Sequence, residues 1–319
     1  MPDTFKLNAG DGQRLHVYRW LPDDAPRAVV QIAHGMGEHA ARYDAAARAL
    51  NQAGYAVYAN DHRGHGSTAD PERLGWLGDN GWNRVVSDAA DLTHHIRREH
   101  PGLPVVLFGH SMGAMLSQQY LYRYGSLIDA AVLSGSPGVA GRLQAWLSRN
   151  LARFERWRLG ADAESPLLQK LLFGKANTPF EAPDSTGFEW LSRDAEQVAA
   201  YVNDPYCGFV LRAGSLYELF VGARAARSME NVLQIPAGLP VYIFSGSDDP
   251  VHGEGRNLQR LLDLYRSHLQ HVEDRLYDGG RHEMLNEINR DAVIQDLLAW
   301  LDKAVDGPGS SSTRAASPN

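Results

Sequence analysis

The chain has almost no cysteine, no surplus of basic charge and no long apolar run, and each lack removes a class of function. Its one cysteine, Cys207, can form no internal disulfide, and no Cys spacing of the metal-binding kind is present. A disulfide-stapled scaffold is therefore out, and the composition is compatible with a reducing cytoplasm. Lys and Arg number 31 against 38 Asp and Glu, a formal net charge of −7. Phosphate binding needs the opposite imbalance, which excludes nucleic acid as the main partner. No run of about 18 apolar residues could cross a bilayer. Met1-Pro2-Asp3-Thr4 also lacks the basic and then apolar order of a secretory signal. A cytoplasmic location is expected, with membranes touched only at their surface. There is no internal repeat, and nothing in the sequence sets an oligomeric state.

What is present is an ordinary globular composition, 44% hydrophobic and 22% charged over 319 residues. Short apolar strands alternate with amphipathic helices, the pattern of a mostly parallel sheet covered on both faces. A hairpin is expected over 5–8 and 14–20, turning at Ala9-Gly10-Asp11-Gly12. Strands follow at 28–34, 55–60, 104–109 and 130–133, with helices at 40–53, 82–98 and 112–124 between them. From about 137 to 235 the alternation stops, giving way to helical segments with scattered Pro and Gly and many aromatics. It resumes with strands at 241–244 and 273–277 and helices at 256–268 and 290–303. The expected organisation is a core in two parts, 1–136 and 236–304, with an insertion at 137–235 and a disordered tail at 305–319.

Gly109-His110-Ser111-Met112-Gly113 fits G-x-S-x-G and sits directly between the strand Val105-Val106-Leu107-Phe108 and a helix. That setting makes the pattern informative, because the motif works as a sharp strand-to-helix turn that holds a serine hydroxyl clear of the sheet. The alternative is a plain helix-capping serine. A serine becomes a competent nucleophile when a histidine takes its proton and a carboxylate fixes that histidine's tautomer, in the chain order Ser, acid, His. His282 lies in the glycine-rich loop Asp278-Gly279-Gly280-Arg281-His282-Glu283 after a strand, whereas His252, His268 and His271 fall in or beside a helix. Ser245-Gly246-Ser247-Asp248-Asp249-Pro250 offers two acids. Asp249 is favoured, because a residue before proline is held extended at the loop tip. The backbone N–H groups of Met112 and of Met36, in His34-Gly35-Met36-Gly37-Glu38, are placed to receive a developing oxyanion. No metal or organic cofactor is expected. Serine at 111 disfavours dehalogenase and epoxide hydrolase chemistry, which use a carboxylate nucleophile.

On these residues the chain resembles the α/β-hydrolase superfamily, and within it the monoacylglycerol lipase and lysophospholipase group often filed with the serine aminopeptidases. The resemblance is carried by His34-Gly35-Met36-Gly37-Glu38-His39 with Arg42-Tyr43, and by Asp61-His62-Arg63-Gly64-His65-Gly66-Ser67. Pro101-Gly102-Leu103-Pro104 leading into the serine motif, and Asn203-Asp204-Pro205, add to it. It implies an α/β-hydrolase fold with a helical cap, and an esterase working through an acyl-enzyme on lipid or other acyl ester substrates. Its Gly-x-x-Asp pattern maps onto Gly246 and Asp249. The 61–67 segment would shape a loop beneath the site, and Glu38, Arg42 and Tyr201 would lie near the polar end of the substrate. The mammalian lipases carry a second histidine three residues after the catalytic one; here that position is Leu285. An aminopeptidase, a thioesterase or a receptor-like hydrolase with slow turnover are alternatives on the same scaffold.

Within the insertion, Leu143, Trp146, Leu147, Asn150, Leu151, Phe154 and Trp157 follow helical spacing, with Arg142, Arg149, Arg153, Arg156 and Arg158 mostly off that stripe. The commoner use of such a stripe is inward, against the body or lining an acyl pocket. The other use is transient contact of helix 142–158 with an anionic membrane surface.

Overall fold

Apolar strands gather into one eight-stranded sheet among the described residues, 2–306, in a computed structural model. A hairpin of β1 (Asp3–Asn8) and β2 (Arg14–Trp20) opens the chain. Then come β3 (Ala28–Ala33), α1 (Asp44–Gln52), β4 (Tyr55–Asn60), α2 (Gly81–Glu99), β5 (Val105–His110), α3 (Met112–Tyr124) and β6 (Ala130–Ser134). Between β6 and β7 lie α4 (Arg142–Leu159), α5 (Pro166–Phe173), α6 (Ala195–Asn203), α7 (Ala213–Ala226) and the single turn α8 (Met229–Val232). β7 (Val241–Gly246), α9 (Arg256–Arg266), β8 (Val272–Tyr277) and α10 (Arg290–Asp306) complete the chain. The expectation for 305–319 falls, from 307 on, outside the described residues. Residues 305 and 306 continue α10, where Arg27 pairs with Asp302 and Asp306.

The strand order is β1-β2-β4-β3-β5-β6-β7-β8, with β2 antiparallel to β4 and every pair from β4 to β8 parallel. Side chains alternate between two cores, as the two-residue strand period requires. Val105 and Leu107 join the side covered by α2, α3, α7 and α9; Val106 and Phe108 join the side covered by α1 and α10. This is the α/β-hydrolase fold. Register then sets the site. Ala33 pairs with Gly109 and Gly246 with Tyr277, so the loops after β3 and β5 leave the sheet level with each other, as do those after β7 and β8. β3 has β4 on one side and β5 on the other, the switch point where open α/β sheets form a crevice.

Two expectations are corrected by packing. The helix read over 40–53 starts instead as a 3-10 turn at Ala40–Tyr43 and becomes α-helical only in α1. The turn is held by Asp61, whose carboxylate accepts N–H bonds from Ala40 and Ser67. The stripe on α4 does not pack inward. Leu143, Trp146, Leu147, Phe154 and Trp157 are exposed, Trp157 at 79%, and Leu151 alone of the apolar set is partly buried against the core. The buried residues of α4 are Ala152 and Glu155. A small side chain lets the helix lie close on α7, and Glu155 is satisfied there by Arg158 and Ser165. The large apolar side chains are left facing away.

Candidate active site

Ser111 occupies a strained turn. Its φ of 54° and ψ of −113° lie in a region that side-chain-bearing residues rarely adopt. The turn closes against the sheet because its glycines carry no Cβ. A Cβ on Gly113 would sit 1.9 Å from the Ala33 carbonyl oxygen, and one on Gly109 would sit 2.4 Å from Ser117 Oγ. Ser111 N–H donates to Ser134 O at 2.9 Å, tying the elbow to β6.

The loops after β7 and β8 bring two further side chains to it. The Ser111 hydroxyl lies 2.9 Å from His282 Nε2, and His282 Nδ1 lies 2.9 Å from Asp249 Oδ2. Asp249 is held by Ser245 Oγ and by Val251 N–H, whereas Asp248 points to solvent. Two of the competing histidines are tied to backbone, His252 Nε2 to Gly246 O and His268 Nε2 to Ile235 O. Burial pushes the His282 imidazole toward neutrality, but the Asp249 charge and hydrogen bond outweigh it, aided by Glu283 and Glu38. The net shift is upward. Asp249 is shifted the other way: burial raises it, and the facing imidazole brings it below the ordinary carboxylate range.

Of the expected oxyanion donors, Met36 lines the cavity in front of Ser111. Met112 is the first residue of α3, where a backbone N–H has no intrahelical acceptor. Glu38 is buried, its carboxylate accepting from Gly35 N–H and Tyr43 OH. Glu38 and Tyr201 lie on the cavity wall; Arg42 sits behind them, bound to Glu38 and Glu283 and over the Tyr201 ring. The cavity has a volume of about 430 Å³, and its walls include Phe173, Phe188, Trp190, Leu191, Phe209 and Val210, all from the segment between β6 and β7. That is within the range of small-molecule pockets, about 300–1,000 Å³.

Sequence reasoning missed Glu283 and Trp190. In the sequence Glu283 is only the neighbour of His282; its partner Arg42 lies 241 positions away. Trp190 lies with its ring 5.0 Å from that of His282, and the His282 loop is strapped to the same segment by Glu283 N–H to Leu191 O. No local pattern announces either contact. The Asp61 carboxylate ties its own loop to the start of the Ala40 turn, and that loop buries a stack of His34, His62 and His65, each pushed by burial to a lowered pKa and so kept neutral. Among the described residues one mixed cluster, His39, Asp204 and Cys207, has the donor types and spacing to hold a metal ion.

The family model for "Serine aminopeptidase, S33" matches residues 24–289. A monoacylglycerol lipase of Mycolicibacterium smegmatis is 32% identical over 300 residues, 91% of this chain and 93% of that protein. A monoglyceride lipase of Mus musculus is 27% identical over 97% of this chain and 93% of its own. Among solved structures, a thermostable carboxyl esterase from Bacillus coagulans, in complex with glycerol, superposes with a TM-score of 0.86 at 27% identity. It covers 95% of this chain and 99% of that one. With the elbow, the crevice and these matches together, the chain belongs to the serine aminopeptidase S33 family of α/β-hydrolases, in its monoacylglycerol lipase-like group.

Proposed function

We propose that this ester hydrolase cleaves medium- or long-chain acyl monoesters, of the monoacylglycerol or lysophospholipid type, through an acyl-enzyme on Ser111. The hydrogen-bonded chain Asp249–His282–Ser111, with both contacts at 2.9 Å, carries the reading. Ser111 Oγ attacks the ester carbonyl while His282 Nε2 takes its proton, and Asp249 stabilises the imidazolium that forms. Met36 and Met112 N–H receive the oxyanion. His282 then gives the proton to the departing alcohol. A water enters, loses a proton to His282 and releases the carboxylic acid, which returns the serine. An apolar cavity at the serine suits an acyl chain; in this reading Glu38 and Tyr201 on its wall face the head group, with Arg42, bound to Glu38 and over the Tyr201 ring, supporting both.

The segment 137–235 acts in this reading as the cap. Its helix α4, with arginines beside exposed Trp, Phe and Leu, makes the transient contact with an anionic membrane surface from which such substrates are drawn. No described helix is long and apolar enough to cross a membrane. The proposed setting is the cytoplasm, since a single cysteine leaves no internal disulfide to form.

The test is a fluorophosphonate probe alongside turnover of monoacylglycerols, lysophospholipids and aminoacyl anilides. We expect rapid labelling and preferential cleavage of the acyl esters, with Ser111→Ala abolishing labelling and lowering kcat by roughly 10⁶-fold. Labelling that survives that substitution, or faster cleavage of the anilides, defeats the proposal.

A further inference from the structure

The loop behind the serine and the facing turn of the cap segment meet at three side chains with no part in acyl transfer. His39 directly follows the Gly35–Glu38 stretch, and Asp204 and Cys207 lie on the turn after α6. Their ligating atoms all fall within 4.8 Å of one another, with His39 Nε2 2.9 Å from Asp204 Oδ2. We propose that His39, Asp204 and Cys207 form a binding site for a thiophilic divalent cation, zinc above all, that latches the cap turn to the oxyanion loop.

The donor set argues for the ion. Imidazole, carboxylate and thiolate together match zinc, whereas magnesium and calcium take oxygen ligands. Bonds of about 2.0–2.3 Å to a tetrahedral ion place its ligands about 3.3–3.8 Å apart, so a small side-chain adjustment seats it. Asp204 and Cys207 stand three residues apart on a turn closed by Cys207 N–H to Asp204 O at 3.0 Å, which presents both side chains to one point. Tyr206 N–H donates to Asp204 Oδ1, orienting the carboxylate and leaving Oδ2 toward His39. On binding, the Cys207 thiol releases its proton to solvent. Thiolate and carboxylate then balance the 2+ charge, with the fourth position left to water. The nearby cation Arg42 is already neutralised by Glu38 and Glu283. Ions have access, since the side chains of His39 and Asp204 are 12% and 28% exposed.

The same two segments already touch through Gly208 N–H to Gly37 O at 3.0 Å, and both contribute to the cavity wall. An ion here would brace that seam. The inference stands independently of the ester reading, because its readouts need no turnover.

The experiment uses the full chain, stripped with chelator, with Co2+ and Zn2+ as probes. One equivalent of Co2+ should give a thiolate-to-cobalt charge-transfer band and the strong visible bands of a tetrahedral site, both bleached by Zn2+. Cys207→Ser should abolish the charge-transfer band, and Asp204→Asn should weaken binding about tenfold or more. Saturating Zn2+ should raise the Tm of the wild type by a few degrees and leave that of Cys207→Ser unchanged. Should Cys207→Ser fail to fold, the wild type still decides, because bound Zn2+ should slow thiol-reagent attack on its single cysteine about tenfold or more. No charge-transfer band, no protection of Cys207, or equal Zn2+ effects on wild type and Cys207→Ser would overturn the assignment. The last outcome would place the ion on other ligands, such as His282.

Discussion

At the scale of single residues, the groups around Ser111 form two coupled loops, and Glu283 joins them. Its carboxylate takes both terminal nitrogens of Arg42 at 2.7 Å, Arg42 also donates to Glu38, and Glu38 holds Gly35 N–H beside the proposed oxyanion donor Met36. Burial would raise the Glu283 carboxyl, but the Arg42 guanidinium outweighs it and holds the group below the ordinary carboxylate range, so it is charged at neutral pH. That charge, one residue from His282, helps lift the imidazole above its ordinary pKa. A protonated imidazole cannot take the serine proton, so activity should fall on acidification through a pH above the usual imidazole value of about 6.5. Glu283→Gln removes a negative charge that favours imidazolium, and the acidic limb of kcat/KM should move to lower pH. The same change leaves Arg42 with one fewer charged partner and loosens the Gly35 loop, so kcat should fall about tenfold or more, with a smaller change in KM. A pH–rate profile of both proteins measures this, and an acidic limb that stays put would show that Glu283 does not act on His282.

At the scale of one element, α4 is amphipathic in a direction opposite to the expected one. Its close approach to α7 is made by Ala152 and by a buried Glu155, with Arg156 over the Tyr217 ring of α7, while Trp146, Phe154 and Trp157 stand in solvent on a helix that also exposes Arg153. Leu167 and Leu171 of α5 are exposed as well, and α5 also lends Pro166, Gln169 and Phe173 to the cavity, so part of the apolar surface adjoins the cavity wall. The double substitution Trp146→Ser, Trp157→Ser should cut binding to phosphatidylglycerol-containing vesicles about tenfold or more. It should change stability by no more than about 0.5 kcal/mol, because nothing buried is lost. Co-sedimentation at low and high salt gives the binding, and thermal melts give the stability. Unchanged vesicle binding would remove α4 from the membrane reading.

At the scale of the whole molecule, the cavity belongs to neither part of the chain alone. Its floor comes from the sheet-end loops with Met36, Ser111 and His282, and much of its wall comes from the segment between β6 and β7. An acyl chain entering it gains about 0.8 kcal/mol per buried methylene, so kcat/KM on p-nitrophenyl esters should climb about fourfold per added methylene until the cavity is full. Val210→Trp, on that wall, should end the climb at a shorter chain and spare the acetate ester. Equal or better hydrolysis of acetate than decanoate by the wild type would rule out an acyl-binding role for the cavity.

Whatever depends on neighbours within a few positions could be read from the sequence. The strands announced themselves by apolar runs, the serine turn by glycines where a Cβ has no room, and the Asp249 and His282 loops by their place after strands. Tertiary structure alone decided what depends on distant partners. A helical stripe shows that α4 has two faces, but the closeness of α7 determines which one is covered. The proline after it favours Asp249 over Asp248, but its contact with an imidazole 33 positions away exists only in the fold. Arg42 could be foreseen beside a substrate, yet its donors are taken by a carboxylate 241 positions away, and His39 meets Asp204 across 165. Local geometry follows from steric and hydrogen-bonding constraints within a few bonds, whereas these pairings exist only once strand register has brought separate loops to one end of the sheet.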